Sequence, residues 1–284
     1  MPAKLLIGKA VTQKMDLDIQ QDVQSLKSAG INPKLRIIIV GDASESMAYA
    51  NSTKKIAEKN GVLCDIEQLP ETTCQLEFIN ILKQRNTDKN IHGIIVMRPL
   101  PKQINEGVVM YFLTPEKDVD CFNTVSAGKV MIGDITGFPP ATAQAVMETL
   151  RFYEVPMQGK EAVILGRSMV VGKPLSMLLL DENATVTICH SKTKNLQGVC
   201  KRAEILIAAI GKAKMINADF VKPGAVVVDV GINVEDGRLY GDVDTESVKS
   251  VASAITPVPG GIGTVTTMVL LKHLVKAARL LNPQ

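Results

Sequence analysis

Short runs of β-branched residues alternate with longer helical stretches along almost the whole chain, and this alternation leaves few folds open. KLRIIIVGD (34–42) is an apolar run ending in Gly-Asp, the form of a strand buried in a parallel sheet. Residues 45–60 follow with helical spacing, and Gly61 suits the C-terminal cap. VLCDIEQLP (62–70) reads as a second strand and Leu76 to Arg85 as an amphipathic helix. HGIIVMRPLP (92–101) reads as a third strand that halts at its prolines. Strand-helix-strand order of this kind predicts a parallel sheet with right-handed crossovers.

A second series begins near Gly159. GKEAVILG (159–166), ATVTICH (184–190), EILIAAIG (204–211) and GAVVVDVGIN (224–233) read as strands. VGKPLSMLLLDEN (171–183) opens a helix with Pro174 in its first turn. Gly133, Gly137, Pro139 and Pro140 mark a junction between the two series, and 264–281 forms a terminal apolar helix with basic residues late. The 284 residues suffice for two modest domains.

Composition narrows the function. A net charge of +3, with acids and bases interspersed, gives no basic face for nucleic acid or a membrane surface. No Trp and only ten Phe and Tyr argue against a base-stacking platform. Five scattered cysteines form no CxxC pair, and His92, His190 and His273 lie far apart, so neither a disulfide framework nor a zinc site is expected. No apolar stretch reaches membrane-spanning length and no leader signature opens the chain, so a reduced, cytoplasmic protein is expected.

The turn after the strand at 162–165 reads G-R-S-M-V-V-G, with Gly166 and Gly172 at its ends. Glycines there let backbone amides approach a diphosphate at a helix N-terminus, although a bare structural turn has the same form. NAD-selective sites place an acid about 20 residues on, at the next strand end, for the ribose hydroxyls. Cys189-His190-Ser191-Lys192 stands there instead, and Arg167 sits in the glycine turn. Cations with a hydroxyl suit a ribose phosphate better than a bare ribose, which favours NADP and leaves NAD as the alternative.

Together with VG(x)nSxxY at 40–49, PEKDVD at 115–120, GRSxxVGKP at 166–174, ATVTxCHSKT at 184–193, GAVVVDVGIN at 224–233, GDVD at 241–244 and TPVPGGIG at 256–263, these features run through nearly the whole chain. They closely resemble the methylene-tetrahydrofolate dehydrogenase/methenyl-tetrahydrofolate cyclohydrolase family, known in bacteria as FolD. The resemblance implies an α/β folate domain (1–138 with the terminal helix 265–284), a Rossmann-like NADP domain with a parallel sheet (139–264), a cleft between them and a homodimer. It implies folate bound by Tyr49, Pro99, Asp120, Pro259, Gly260 and Gly261. It implies cofactor held by Gly166, Arg167, Ser168, Gly172, Ser191 and Gly211, with the nicotinamide near Gly231, Ile232 and Thr266.

The chain departs from this pattern where the family does its acid-base work. The family places a catalytic lysine four residues after the tyrosine, within YxxxKxK. Here Tyr49 is followed by Ala50-Asn51-Ser52-Thr53-Lys54-Lys55, so Thr53 stands at that position and Lys55 matches the second lysine. The supporting glutamine of VQxPLP is Met97 in Val96-Met97-Arg98-Pro99-Leu100-Pro101. DVDG has become DVDC at Cys121, the PCTPxG turn reads Pro140-Ala141-Thr142-Ala143-Gln144-Ala145, and GPMT reads Gly263-Thr264-Val265-Thr266.

The family's two reactions differ in what they ask of the protein. Hydride removal from a methylene bridge needs chiefly that two reactants be held together, a contribution of about 7–11 kcal/mol. Hydration of the resulting cation and ring opening needs protons moved, the task of a lysine of lowered pKa. The candidate catalytic set Tyr49, Thr53, Met97 and Asp120 therefore predicts a dehydrogenase with the hydrolase activity lost or weak. Two alternatives stay open: a bifunctional enzyme in which Lys54, about 100° further round the helix, substitutes, and a non-catalytic folate- or NADP-binding relative. A Rossmann dehydrogenase acting on shikimate or an amino acid is a remoter reading.

Overall fold

The computed structural model describes residues 2–283, and the alternation read from the sequence forms two separate parallel sheets. In chain order the strands are β1 (Lys4–Leu5), β2 (Lys34–Val40), β3 (Leu63–Leu69), β4 (Gly93–Val96), β5 (Glu161–Leu165), β6 (Thr185–Cys189), β7 (Ile205–Ala208), β8 (Val226–Asp229), β9 (Asn233–Glu235), β10 (Arg238–Tyr240) and β11 (Ala254–Ile255). The helices are α1 (Gly8–Ser28), α2 (Ser44–Lys59), α3 (Gln75–Thr87), α4 (Glu106–Val109), α5 (Thr124–Met131), α6 (Ala141–Phe152), α7 (Gly172–Asp181), α8 (Leu196–Cys200), α9 (Thr245–Val248) and α10 (Ile262–Leu281).

The chain divides into two compact units, one of Met15–Pro139 with Thr267–Gln284 and the other of Met1–Lys14 with Pro140–Thr266. In the first unit β2 lies between β3 and β4, paired in parallel with both. That central position explains its apolar run from Ile37 to Val40, of which Ile37 and Ile38 are wholly buried, as is Leu35 before Arg36. Small residues on α2, namely Ala50, Thr53 and Ala57, form its buried face at helical spacing. From Thr267 onward α10 also belongs here: His273 Nδ1 lies 2.9 Å from the Val119 carbonyl, and a Cβ on Gly93 would meet Leu274 at 2.7 Å.

The second unit carries six parallel strands in the order β1-β11-β8-β7-β5-β6. Successive strands leave β5 first toward β6 and then toward β7, so the strand order reverses at β5. Ligands of open α/β sheets bind outside the carboxyl ends of the strands at such a switch point. β9 and β10 form an antiparallel hairpin through Asp236 and Gly237, both at positive φ (50° and 72°), which suits the Asp-Gly pair.

Residues up to Lys14 group with the second unit, where β1 pairs with β11 at the edge of the six-stranded sheet. Two expected strands are corrected. The strand expected over 224–233 ends at Asp229, and Asn233 already belongs to the hairpin strand β9. The strand expected over 92–101 is only Gly93–Val96. Among the described residues no helix is long and apolar enough to cross a membrane.

Candidate active site and nucleotide pocket

α2 starts beyond the carboxyl end of β2, and Met97 extends the ladder at the carboxyl end of β4 by donating to the Ile38 carbonyl at 2.9 Å. Asp118 bridges in parallel to Ile94 on β4, so two residues on, Asp120 comes abreast of Val96 at the same edge. The chain then turns at Cys121, which has φ 59°. Asp118 holds this turn: its carboxylate accepts from the backbone N–H groups of Phe122 and Asn123, both at 2.8 Å. Arg98, between Met97 and the exposed Pro99, lays its guanidinium 5.7 Å from the centre of the Phe122 ring. Tyr49, Met97, Pro99 and Asp120 are thus all carried at the carboxyl edge of one small sheet.

Within this set Thr53 is wholly buried, and its Oγ1 has no hydrogen-bond partner in the protein. Tyr49, one turn earlier, is 37 % exposed. Lys54 turns elsewhere: its Nζ lies 3.8 Å from Glu58 Oε1, and its charge acts on Cys64 and Asp65 of β3. Burial pushes the Cys121 thiol up to about 12, so Cys121 is a neutral side chain where the family pattern has glycine.

In the second unit the carboxyl ends of β5, β6 and β7 surround a cavity of about 290 Å³. Gly166, Arg167, Ser168 and Ser191, all expected from the sequence, line it, together with His190 and Lys212. The turn is built for glycine: Gly166 has φ 121°, a Cβ on it would meet the Ala209 carbonyl at 2.2 Å, and one on Gly172 would meet the Gly166 carbonyl at 2.1 Å. Ser168 Oγ accepts from the Val171 N–H at 3.1 Å, shaping the entry to α7. Gly211, exposed at φ 64°, lies between the lining residues Ile210 and Lys212. This donor set and the close glycine turn fit a phosphorylated dinucleotide, with no acid at the β6 end to select a bare ribose.

A second cavity, of about 230 Å³, is lined by Asp229, Gly231, Ile232, Leu239, Thr264 and the 257–263 loop, which contains Pro259, Gly260 and Gly261. Ile232 and the Pro-Gly-Gly loop are therefore brought together in one lining. Thr266 is not in this lining; it is nearly buried and its hydroxyl donates to the Gly263 carbonyl at 3.0 Å. Sequence reasoning passed over Lys212, Asp229 and Asp242. The two acids were visible only as letters inside DVGIN and GDVD. Asp229 accepts from the N–H groups of Gly231, Asp242 and Val243, yet burial still pushes its carboxyl up to about 6.

Two family models match the chain: the tetrahydrofolate dehydrogenase/cyclohydrolase catalytic domain over residues 6–120 and the NAD(P)-binding domain of the same family over 140–282. The chain belongs to the tetrahydrofolate dehydrogenase/cyclohydrolase family. A relative named bifunctional protein FolD, from Clostridioides difficile (strain 630), is 53 % identical over 280 residues, covering 98 % of each chain. The crystal structure of the bifunctional FolD of Campylobacter jejuni is similar at 40 % identity and a TM-score of 0.96, covering 98 % of this chain and 99 % of that one. The Trypanosoma brucei FolD, solved with NADP cofactor and inhibitor, is similar at 32 % identity and a TM-score of 0.93, covering 99 % of this chain and 98 % of that one. The family's two-domain α/β architecture is therefore the one found here.

Proposed function

We propose that this family member oxidises methylene-tetrahydrofolate to methenyl-tetrahydrofolate with NADP, and that its methenyl-tetrahydrofolate cyclohydrolase activity is lost or weak. The family and the relatives named bifunctional FolD support the enzyme class, and the Trypanosoma brucei relative with NADP supports the cofactor. Gly166, Arg167, Ser168, Gly172, Ser191 and Gly211 would hold the dinucleotide, whose nicotinamide supplies a hydride acceptor. Tyr49, Pro99, Asp120 and the Pro259–Gly261 loop would hold the folate. The chain's own part in the oxidation is to bind and orient, which needs no side chain that gains or loses a proton.

One observation carries the loss of hydrolysis: α2 offers a buried, unpartnered hydroxyl at Thr53 where the family has an amine, while Lys54 pairs with Glu58. A threonine hydroxyl does not titrate near neutral pH, and Met97 cannot orient water. The missing acid-base step is worth about 10²–10⁴-fold. Purified protein is expected to form NADPH from methylene-tetrahydrofolate while methenyl-tetrahydrofolate decays at the buffer rate. Decay well above the buffer rate sinks the proposal. The double change Thr53→Lys with Met97→Gln is expected to raise that decay at least tenfold.

We also propose that the protein is a homodimer. β6 ends the six-stranded sheet with one edge unpaired among the described strands, and Ile188 on it and Leu180 on α7 are 36 % and 55 % exposed. Light scattering is expected to give twice the 30.6 kDa chain mass, and a monomer at micromolar concentration would refute the assembly.

A further inference from the structure

The nucleotide cavity and the Ile232 cavity lie in one unit, and two buried acids, Asp229 and Asp242, link residues that line them. After β7 the chain turns through Ile210, Gly211 and Lys212, and three successive backbone N–H groups point inward. Such a nest is an anion site. Here the anion is the protein's own Asp242, wholly buried, which accepts from Ile210 N at 2.6 Å, Gly211 N at 3.1 Å and Lys212 N at 2.7 Å. These amides are therefore not available to a phosphate, and the glycine turn at 166–172 is left as the phosphate-binding backbone. The same carboxylate accepts from Asn233 Nδ2 at 3.0 Å, at the start of the hairpin.

Asp242 is itself held. Its backbone N–H donates to Asp229 at 2.9 Å, the Val243 N–H to the same carboxylate at 2.9 Å, and the Gly231 N–H at 3.0 Å. Asp229 and Gly231 line the second cavity, and Ile210 and Lys212 line the first. The packing admits no side chain between them: a Cβ on Gly231 would lie 2.3 Å from the Asp242 carboxyl carbon, and one on Gly241 1.8 Å from an Asp229 oxygen. The Ala209 carbonyl, on the same turn as Ile210, fills the space beside Gly166.

We propose that Asp242 is a positioning residue: held by Asp229, it locks the Ile210–Lys212 turn against the glycine turn and ties the nucleotide cavity to the one lined by Ile232. The proposal rests on the reading of the first cavity as the NADP site. Asn233 lines neither cavity, yet it supplies one of the four hydrogen bonds on the Asp242 carboxylate. Asn233 thus acts on the first cavity at a remove, through Asp242, while the same Nδ2 also donates to the Tyr240 carbonyl at 3.3 Å.

The test is NADP binding by calorimetry on the folded full chain, beside the KM for each substrate. Asp242→Asn turns an NH2 toward backbone N–H donors and is expected to weaken NADP binding at least tenfold. Asn233→Ala is expected to weaken it about threefold, with the KM for methylene-tetrahydrofolate within twofold of the parent. Folded variants that bind NADP as the parent does overturn the latch. If Asp242→Asn does not fold, Asn233→Ala decides alone, and unchanged NADP binding in it overturns the proposal. A parent protein that binds no NADP overturns the nucleotide reading and the latch with it.

Discussion

Thr53 is the residue on which the reaction reading turns, and burial makes it informative twice. Its position denies the site an amine, and its Oγ1 is enclosed without a hydrogen-bond partner in the protein. An unmade hydrogen bond on a buried polar group costs about 1–3 kcal/mol. Valine has nearly the same shape without the hydroxyl. Thr53→Val is therefore expected to stabilise the protein by about 1 kcal/mol, read as a higher urea midpoint. A midpoint that stays or falls would show that the hydroxyl finds a partner after all. Cys121 is a second telling residue: a side chain at φ 59°, where the family pattern has glycine, is a conformation that L residues seldom take.

At the scale of elements, PEKDVD is a knot that delivers one side chain. Lys117 is buried, and its Nζ donates to the carbonyls of Asp88 at 2.6 Å and Arg85 at 3.3 Å, closing the C-terminal end of α3. Asp118 ties down the N–H groups of Phe122 and Asn123. Asn123 caps α5 by accepting from the Val125 N–H at 2.6 Å and donates to the Leu113 carbonyl at 2.6 Å. Most of the motif is thus scaffold, and Asp120 is what it presents. In the second unit Asp229 and Asp242 do the equivalent work for the turns after β7 and β8. Both motifs are legible in the sequence, but their division into support and site is not. The partners of Lys117 lie some thirty residues away, and no local spacing announces them.

For the whole molecule the buried acids set a pH dependence. Burial raises Asp118 and Asp229 from 3.8 to about 6 in the folded protein. Between those values the native state binds more protons than the unfolded chain, so stability falls as pH rises through the window and levels off above about 6. Asp65 and Glu67 act in the opposite sense. Hydrogen bonds from Lys34 and Arg85 lower them, so their contribution is present above their unfolded values and lost as pH falls through the folded ones. Asp118→Asn is expected to flatten the decline between about pH 4 and pH 6 by up to about 1.4 kcal/mol per pH unit. Urea unfolding of both proteins across that range checks it, and parallel curves for the two would remove Asp118 as a source.

The sequence by itself determined the parallel α/β class, the family and the absence of a lysine one turn after Tyr49. Each of these is written in local order: β-branched runs between helices, motifs in series, the residue at a fixed helical offset. Only the tertiary structure decided that β1 joins the second sheet, because a two-residue strand carries no periodicity to read. It alone decided that Thr53 is buried and unpartnered while Lys54 pairs with Glu58, since a helix position specifies a direction and not what lies there. The latch of Asp229 and Asp242 was equally hidden. Its hydrogen bonds join residues up to 32 positions apart, and a carboxylate's role follows from the amides that surround it after the chain has folded.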